Sequence, residues 1–347
     1  MSMAEISKRT GYDYSASALN AQVQDVLRAL IVAFESHDSK GVLLVDPSLF
    51  LEHRQEDLFP KYLEAFQEHV FAADIHHPKF DSRFSPWLIS LDLKQPEDYA
   101  LLEASVKQAV EEIDPEQLLE NRGRMVCGWI FSSFTTSSLA DHIAKTAVQS
   151  LAAESSFVIR FYDPAVNSIV WSVLDSWQQS RLLGPIEEWF LLDGDGKLVS
   201  RCNEKKSEMQ YTFSLALADS TREQLKLSGV MNRALRRYRE NHRCQLRWSE
   251  SDALLIMRCT LNRIRAAYGV EAPHELEIFA LNSLVRHPLF DCHRLVKDCL
   301  ADPQNLSPGS SYAERLNGLA PSAWRVIEDE CQQLDVKEYI INKEPQA

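Results

Sequence analysis

The chain has 347 residues, 45% of them hydrophobic and 25% charged. This composition excludes disordered and fibrous classes and leaves room for about two globular domains with a sizeable core. A formal net charge of −13 disfavours general nucleic-acid binding, because phosphates select basic surfaces. No run of about 18 apolar residues occurs and the opening "MSMAEISKRT" lacks an apolar h-region, so neither membrane insertion nor a signal peptide is expected, and the cytoplasm is the expected location.

In chain order, a helical period covers 15–36 and is followed by "GVLLV" at 41–45, a short apolar strand. Asp46-Pro47 closes that strand, since Pro cannot donate to a sheet ladder whereas Asp-Pro suits the start of a helix. A helix near 59–71 precedes "PWLISL" (86–91), and a helix over 97–112 precedes "VCGWIFSSF" (126–134). Ser137-Ser138 is expected to cap a helix over 137–152 whose face is set by Leu139, Ile143, Thr146, Ala147 and Leu151. "SFVIRFY" (156–162) reads as a strand, 164–182 as a helix and "EEWFLLD" (187–193) as a strand; "DGDGK" (193–197) is a hairpin turn into "LVSRC". The alternation predicts an α/β N-terminal lobe, a mixed sheet flanked by helices, over residues 1–214. From 215 to 347 four long helical patterns, broken by Gly, Pro or Ser and by the loop "PQNLSPGSS" at 303–311, predict an all-helical C-terminal lobe.

The stretch "FVIRFYDPAV" (157–166) concentrates the candidate chemistry. Alternation places Phe157, Ile159 and Phe161 on one strand face and Val158, Arg160 and Tyr162 on the other. Asp163 and Pro164 then stand as N-cap and first position of the next helix, a cap contributing about 1 kcal/mol. Charged groups at the carboxyl end of a strand are where α/β folds place ligands, which makes a hydrolase with a site at Arg160 and Asp163, or with His142 beside a nucleophile, one alternative. The favoured reading is structural: Asp163 caps, and Arg160 is held by a carboxylate or by loop carbonyls because an unpaired buried guanidinium is costly.

No nucleophile elbow, phosphate loop, dinucleotide fingerprint or zinc-protease motif is present, and there are only eleven glycines. His76-His77 reads as a polar loop and Asp193 with Asp195 as a turn rather than a calcium loop. The seven cysteines include no CxxC pair, so reduced thiols are expected. No catalytic residue, cofactor or metal site is therefore expected.

Two surface features stand out. Trp171 and Trp177 lie six apart on one predicted helix and so face different ways, which marks Trp177 as a candidate partner contact. Between Arg222 and Arg265 eleven Lys or Arg stand against four acids, a balance of 11 − 4 = +7 that leaves −20 for the remainder. Within this segment Arg236, Arg239 and Arg243 fall at i, i+3 and i+7 and are expected to form a basic stripe for an acidic partner. A nucleic-acid-binding module using 222–265 is the second alternative.

The ordered set "GVLLVDPSLF", "FSPWLISL", "GWIFSSFTTSSLADHIAKTAVQSL", "FVIRFYDPAVNSIVWSVL" and "LLGPIEEWFLLD" resembles the bacterial type VI secretion adaptor family, the Tap or effector-chaperone proteins catalogued as a domain of unknown function. The resemblance covers about residues 40–195, and its most specific element is Arg160, Tyr162, Asp163 and Pro164 followed by Gly184, Pro185 and Trp189. It implies a cytoplasmic, non-catalytic helper that binds a cognate toxin effector, often through the effector's N-terminal region, and promotes its loading onto the VgrG spike. The C-terminal lobe matches the family only in general character.

Overall fold

Short apolar runs rich in Val, Leu, Ile and Trp bury both faces of a sheet between helices, and that is how the first half of the chain folds. A computed structural model describes residues 15–48, 69–114, 123–150, 156–203, 212–242, 247–301 and 311–334. The chain divides into two compact units, one of residues 13–225 and one from Lys226 onward.

In the first unit α1 (Ala16–Ser36) leads into β1 (Lys40–Val45). There follow β2 (Val70–Ala72), β3 (Trp87–Asp92), α2 (Pro96–Glu111), β4 (Val126–Phe131), α3 (Thr136–Ala147), the hairpin β5 (Val148–Ser150) and β6 (Ser156–Val158), α4 (Pro164–Val173), α5 (Ser176–Leu183), β7 (Glu188–Leu192), β8 (Leu198–Cys202) and α6 (Asp219–Lys226). Six strands form one sheet in the order β2-β3-β1-β4-β7-β8, and every pairing in it is antiparallel. Side-chain alternation along these strands sends Leu43, Val45, Ile89, Trp129 and Phe131 into a core with α1 and α2. Val42, Leu44, Leu88, Cys127 and Ile130 enter a second core with α3, α4 and α5. The sheet flanked by helices is thus as the sequence predicts, and "DGDGK" is the β7–β8 turn, with Asp193 Oδ1 accepting from the amides of Asp195 and Lys197 at 2.9 Å each.

Four local expectations are corrected. "SFVIRFY" is not a strand of the main sheet: only Ser156–Val158 is strand, it pairs with β5 alone, and residues 159–162 are irregular although Phe161 and Tyr162 are both fully buried. The place beside β4 is taken by β7. The helix expected over 137–152 starts from Thr135, whose hydroxyl accepts from the Ser138 amide, and ends at Ala147, because Val148 turns extended to pair with Val158. The helix expected over 164–182 is two helices, divided at Leu174-Asp175, where Asp175 and Gln178 form a reciprocal capping box. Residues 70–72 of the helix expected near 59–71 are strand; 59–68 lie outside the described residues, as does the loop at 303–311 except for Ser311.

The second unit is helical throughout its described residues from α7 onward: α7 (Ser228–Asn241), α8 (Glu250–Tyr268), α9 (Pro273–Val285), α10 (Arg294–Ala301), α11 (Tyr312–Asn317) and α12 (Pro321–Cys331). α9 packs on both α7 and α8. Gly269 in the left-handed conformation ends α8.

In the first unit Gly128 is held at φ +129° where β4 meets the register shift at Leu44/Val45. A Cβ there would lie 2.2 Å from Phe190 O and 2.6 Å from the Trp189 indole nitrogen. Gly128→Ala should therefore lower stability by roughly 2–5 kcal/mol from backbone strain and overpacking together, read as a shifted urea midpoint; a loss below about 1 kcal/mol would mean β4 relaxes freely at this point.

Candidate functional site

The segment between β6 and α4 is an irregular corner. Ile159 N–H donates to Ala147 O at 2.8 Å, the last bond in the register of the β5–β6 hairpin, and Asp163 N–H then donates to Arg160 O at 3.0 Å, which turns the chain. Asp163 caps α4 by accepting from the Ala165 amide at 2.9 Å, with Pro164 in the first turn, and Asn167 braces the corner by donating to Phe161 O at 3.0 Å. Arg160 donates to Asp46, the residue that ends β1, and its other carboxylate neighbour, Asp163 Oδ2, is 4.0 Å away. Asp46 is 1% exposed and is itself fixed by accepting from the Ser48 amide at 2.9 Å. Of the two kinds of partner expected for Arg160, carboxylate or loop carbonyl, the carboxylate is present, 114 residues away in sequence.

Electrostatics at the corner favour a fixed arrangement. Burial opposes the Arg160 charge, but Asp46, Tyr162 and Asp163 outweigh it and hold the guanidinium above its ordinary pKa. Burial raises the Asp163 carboxyl, with Arg160 and the Ala165 amide pulling the other way. Burial also raises the Tyr162 phenol and the Cys127 thiol, to whose shift Asp46 and Asp163 add; this thiol is therefore protonated and not a nucleophile near neutral pH. Tyr162 Oη and Arg160 Nε make no hydrogen bond among the described residues. The corner thus combines a caged cation, a helix cap and two neutral acids, without a nucleophile and base in mutual reach.

Gly184, Pro185 and Trp189 belong to the same core. Gly184 ends α5 at φ +54°, and a Cβ on it would meet the His142 ring at 2.2 Å. Pro185 O accepts from Ser132 Oγ at 2.6 Å. Trp189 is fully buried, donates through Nε1 to Cys127 O at 3.2 Å and meets Phe161 edge to face at 6.2 Å. His142, 3% exposed, faces Leu182 O through Nε2 at 2.9 Å. A carbonyl only accepts, so Nε2 carries the proton and Nδ1 faces the Thr146 hydroxyl at 3.5 Å. Burial pushes the His142 pKa down to about 4, against that hydrogen bond, so His142 serves as a neutral packing residue near pH 7.

The arginines of the basic segment do not form the expected stripe. Arg239 is 4% exposed and pairs at 2.6 Å with Glu250, equally buried, so it belongs to the α7–α8 interior. Arg243 lies outside the described residues. Arg236 is half-buried, while Arg233 and Arg237 each reach Glu277 at 2.8 Å. Arg263 pairs with Asp291 at 2.7 Å and Arg265 with Glu271 at 2.9 Å. A run of cations i to i+7 is legible in sequence, but Glu250, which pairs with Arg239, and Glu277, which pairs with Arg233 and Arg237, come from other helices. Trp177, now on α5 and separate from Trp171 on α4, is 45% exposed with the Arg181 guanidinium 4.9 Å from its ring centroid.

His77 is spent on Ser156 O at 3.1 Å and His76 sits 3.4 Å from Asp74; no group of three or more metal-ligating side chains occurs among the described residues. No helix is long and apolar enough to cross a membrane among them. A cleft of about 1030 Å³ at one end of the sheet, bordered by His37, Ser90, Ser132, Thr136 and Glu187, was not foreseen, because its walls come from segments far apart in sequence.

Residues 43–181 match a family described as a domain of unknown function, DUF4123. The match includes Asp46 and the Arg160–Pro164 corner and stops short of Gly184, Pro185 and Trp189. No curated protein and no solved structure matches the chain.

Two outcomes follow from this geometry. Between about pH 6.5 and 4 the unfolded His142 takes up a proton that the folded one refuses, so stability falls as pH falls through that window, by about 3 kcal/mol in total. Comparing urea midpoints of the wild type and His142→Gln across pH 4–7.5 isolates this contribution, and equal slopes would show that the folded imidazole is freely protonated. Arg239→Ala strands Glu250 and should cost about 3–5 kcal/mol; a change under 1 kcal/mol would return Arg239 to the surface.

Proposed function

We propose that this chain is an adaptor of type VI secretion, which binds a cognate toxin effector in the bacterial cytoplasm and promotes its loading onto the VgrG spike without catalysing a reaction itself. The observation that carries this reading is the ordered series of five sequence elements over about residues 40–195, within which residues 43–181 match DUF4123. The internal use of the corner's polar groups supports it. Asp163 is committed to capping α4 and Arg160 to Asp46, so the most specific stretch of the resemblance maintains a fold instead of presenting reactive groups.

The alternatives have less support. Nucleic-acid binding through 222–265 would have to break pairs that Arg233, Arg237, Arg239, Arg263 and Arg265 already make with carboxylates, and phosphate would have to repay that loss. A hydrolase at Arg160 and Asp163 would have to form its site around a capping carboxylate and a caged guanidinium. Trp177, stacked by Arg181 and accessible, is the better-placed of the proposed partner contacts, since an exposed aromatic beside Arg has the composition of an interface hot spot.

Deleting the gene should abolish export of one toxin effector while the secretion tube still assembles, and affinity-tagged protein should co-purify with that effector and a VgrG protein from the native cell. Unchanged export of every effector in the deletion strain would refute the adaptor assignment. Trp177→Ala should weaken effector or VgrG capture by about tenfold or more at unchanged thermal midpoint.

A further inference from the structure

β2 is the first strand of the sheet order and, among the described residues, pairs only with β3. Its hydrogen bonds alternate. In the register Val70↔Ile89, Phe71↔Leu88, Ala72↔Trp87, the Ala73 amide donates to Pro86 O at 2.8 Å and the Ile75 amide to Ser85 Oγ at 3.2 Å. Antiparallel ladders turn every second residue inward, so Phe71, Ala73 and Ile75 face β3 while the N–H and C=O groups of Val70, Ala72 and Asp74 point away from the sheet. No described residue hydrogen-bonds these outward groups. The open edge therefore runs over Val70–Ile75, twice the length of β2 itself.

A groove of about 660 Å³ lies along this edge. One wall is the strand with Phe71, which is 41% exposed. The other is α3, which presents Ser137, Ala140, Asp141, Ala144 and Lys145 to it, spaced i, i+3, i+4, i+7 and i+8 along one helix face. Ala140 and Ala144 are small, and their size is what leaves the groove open. Val148 and Phe213 also line it, and Asp141 is paired with Lys145 at 2.6 Å while Asp74 lies 3.4 Å from His76.

We propose that this edge and groove receive an extended segment of a partner polypeptide, which adds to β2 as a further strand of the sheet. Only a polypeptide backbone supplies donors and acceptors at the two-residue repeat of Val70, Ala72 and Asp74, and β-augmentation of this kind takes its affinity from main-chain bonds and its selectivity from alternate side chains. The segment carries apolar residues at alternate positions, those facing α3 seating against Ala140, Ala144 and Phe71. Sheet edges are ordinarily blunted by Lys, Pro or bulges; Val70, Phe71 and Ala72 offer none of these. The inference rests on the partner-binding reading and names a surface that such a partner uses.

The test takes the full-length protein and a displayed library of random heptapeptides, followed by affinity measurement on a synthetic copy of the selected sequence. Selected peptides should alternate apolar and polar residues, protect the Val70, Ala72 and Asp74 amides from hydrogen exchange, and lose about tenfold or more in affinity when N-methylated at alternate positions in one register but not in the other. Ala72→Pro removes an outward N–H that the internal ladder does not use, so it should cause a similar loss at unchanged thermal midpoint. Where Ala72→Pro does not fold, the N-methyl series on the wild type still decides. Failure to select any peptide, or peptides indifferent both to N-methylation and to Ala72→Pro, overturns the groove. The adaptor reading fails by a different result, continued effector export without the gene.

Discussion

The Arg160–Asp46 pair is the contact on which the shape of the first unit depends. It ties the end of β1 to the coil entering α4, across a sequence separation that no local signal spans. Because Asp46 is buried while Arg160 is partly exposed, the guanidinium is what keeps Asp46 from being an isolated charge in a low dielectric. Once the pair is made, Asp163 lies where it caps α4, Phe161 meets Trp189, and Trp189 reaches Cys127 O across the strand that Gly128 opens. A motif rich in polar residues thereby fixes a corner and the core beneath it.

The second unit handles charge by the same physics. A stretch with a local excess of cations would repel itself if left on one face. Here the cations are drawn toward carboxylates of neighbouring helices, Glu250 in α8, Glu277 in α9 and Asp291 after it. The buried Arg239–Glu250 pair gives α7 and α8 a relative register that an apolar contact alone would define less sharply, since misplacing it costs the desolvation of both ions. The basic character read along the chain is therefore largely an internal device of the helical unit.

The surfaces left for a partner in the first unit are its unspent ones. Trp177 stands at the exposed start of α5, and the outer amides of Val70–Ile75 border a groove kept open by the alanines of α3. Main-chain groups at a sheet edge and an accessible aromatic suit recognition of a polypeptide better than they suit chemistry on a small substrate. If the proposed adaptor function holds, a short edge suits a cargo that is held and later released, because its few bonds give affinity without permanence.

The sequence by itself determined the layered first unit and the helical second unit. Strand runs such as "GVLLV" and "PWLISL", the cap at Asp163 and the "DGDGK" turn are local signals whose physics acts within a few residues. It also contained the Asp175–Gln178 capping box that divides α4 from α5, a local signal that the expectation of a single helix over 164–182 missed. Tertiary structure alone decided that Arg160 meets Asp46, that "SFVIRFY" is strand only at Ser156–Val158 and pairs with β5 outside the six-stranded sheet, where β7 stands beside β4, and that Arg239 is buried against Glu250. Each of these depends on a partner distant in sequence, and a charge or an apolar residue carries no local mark of which distant group will compensate it.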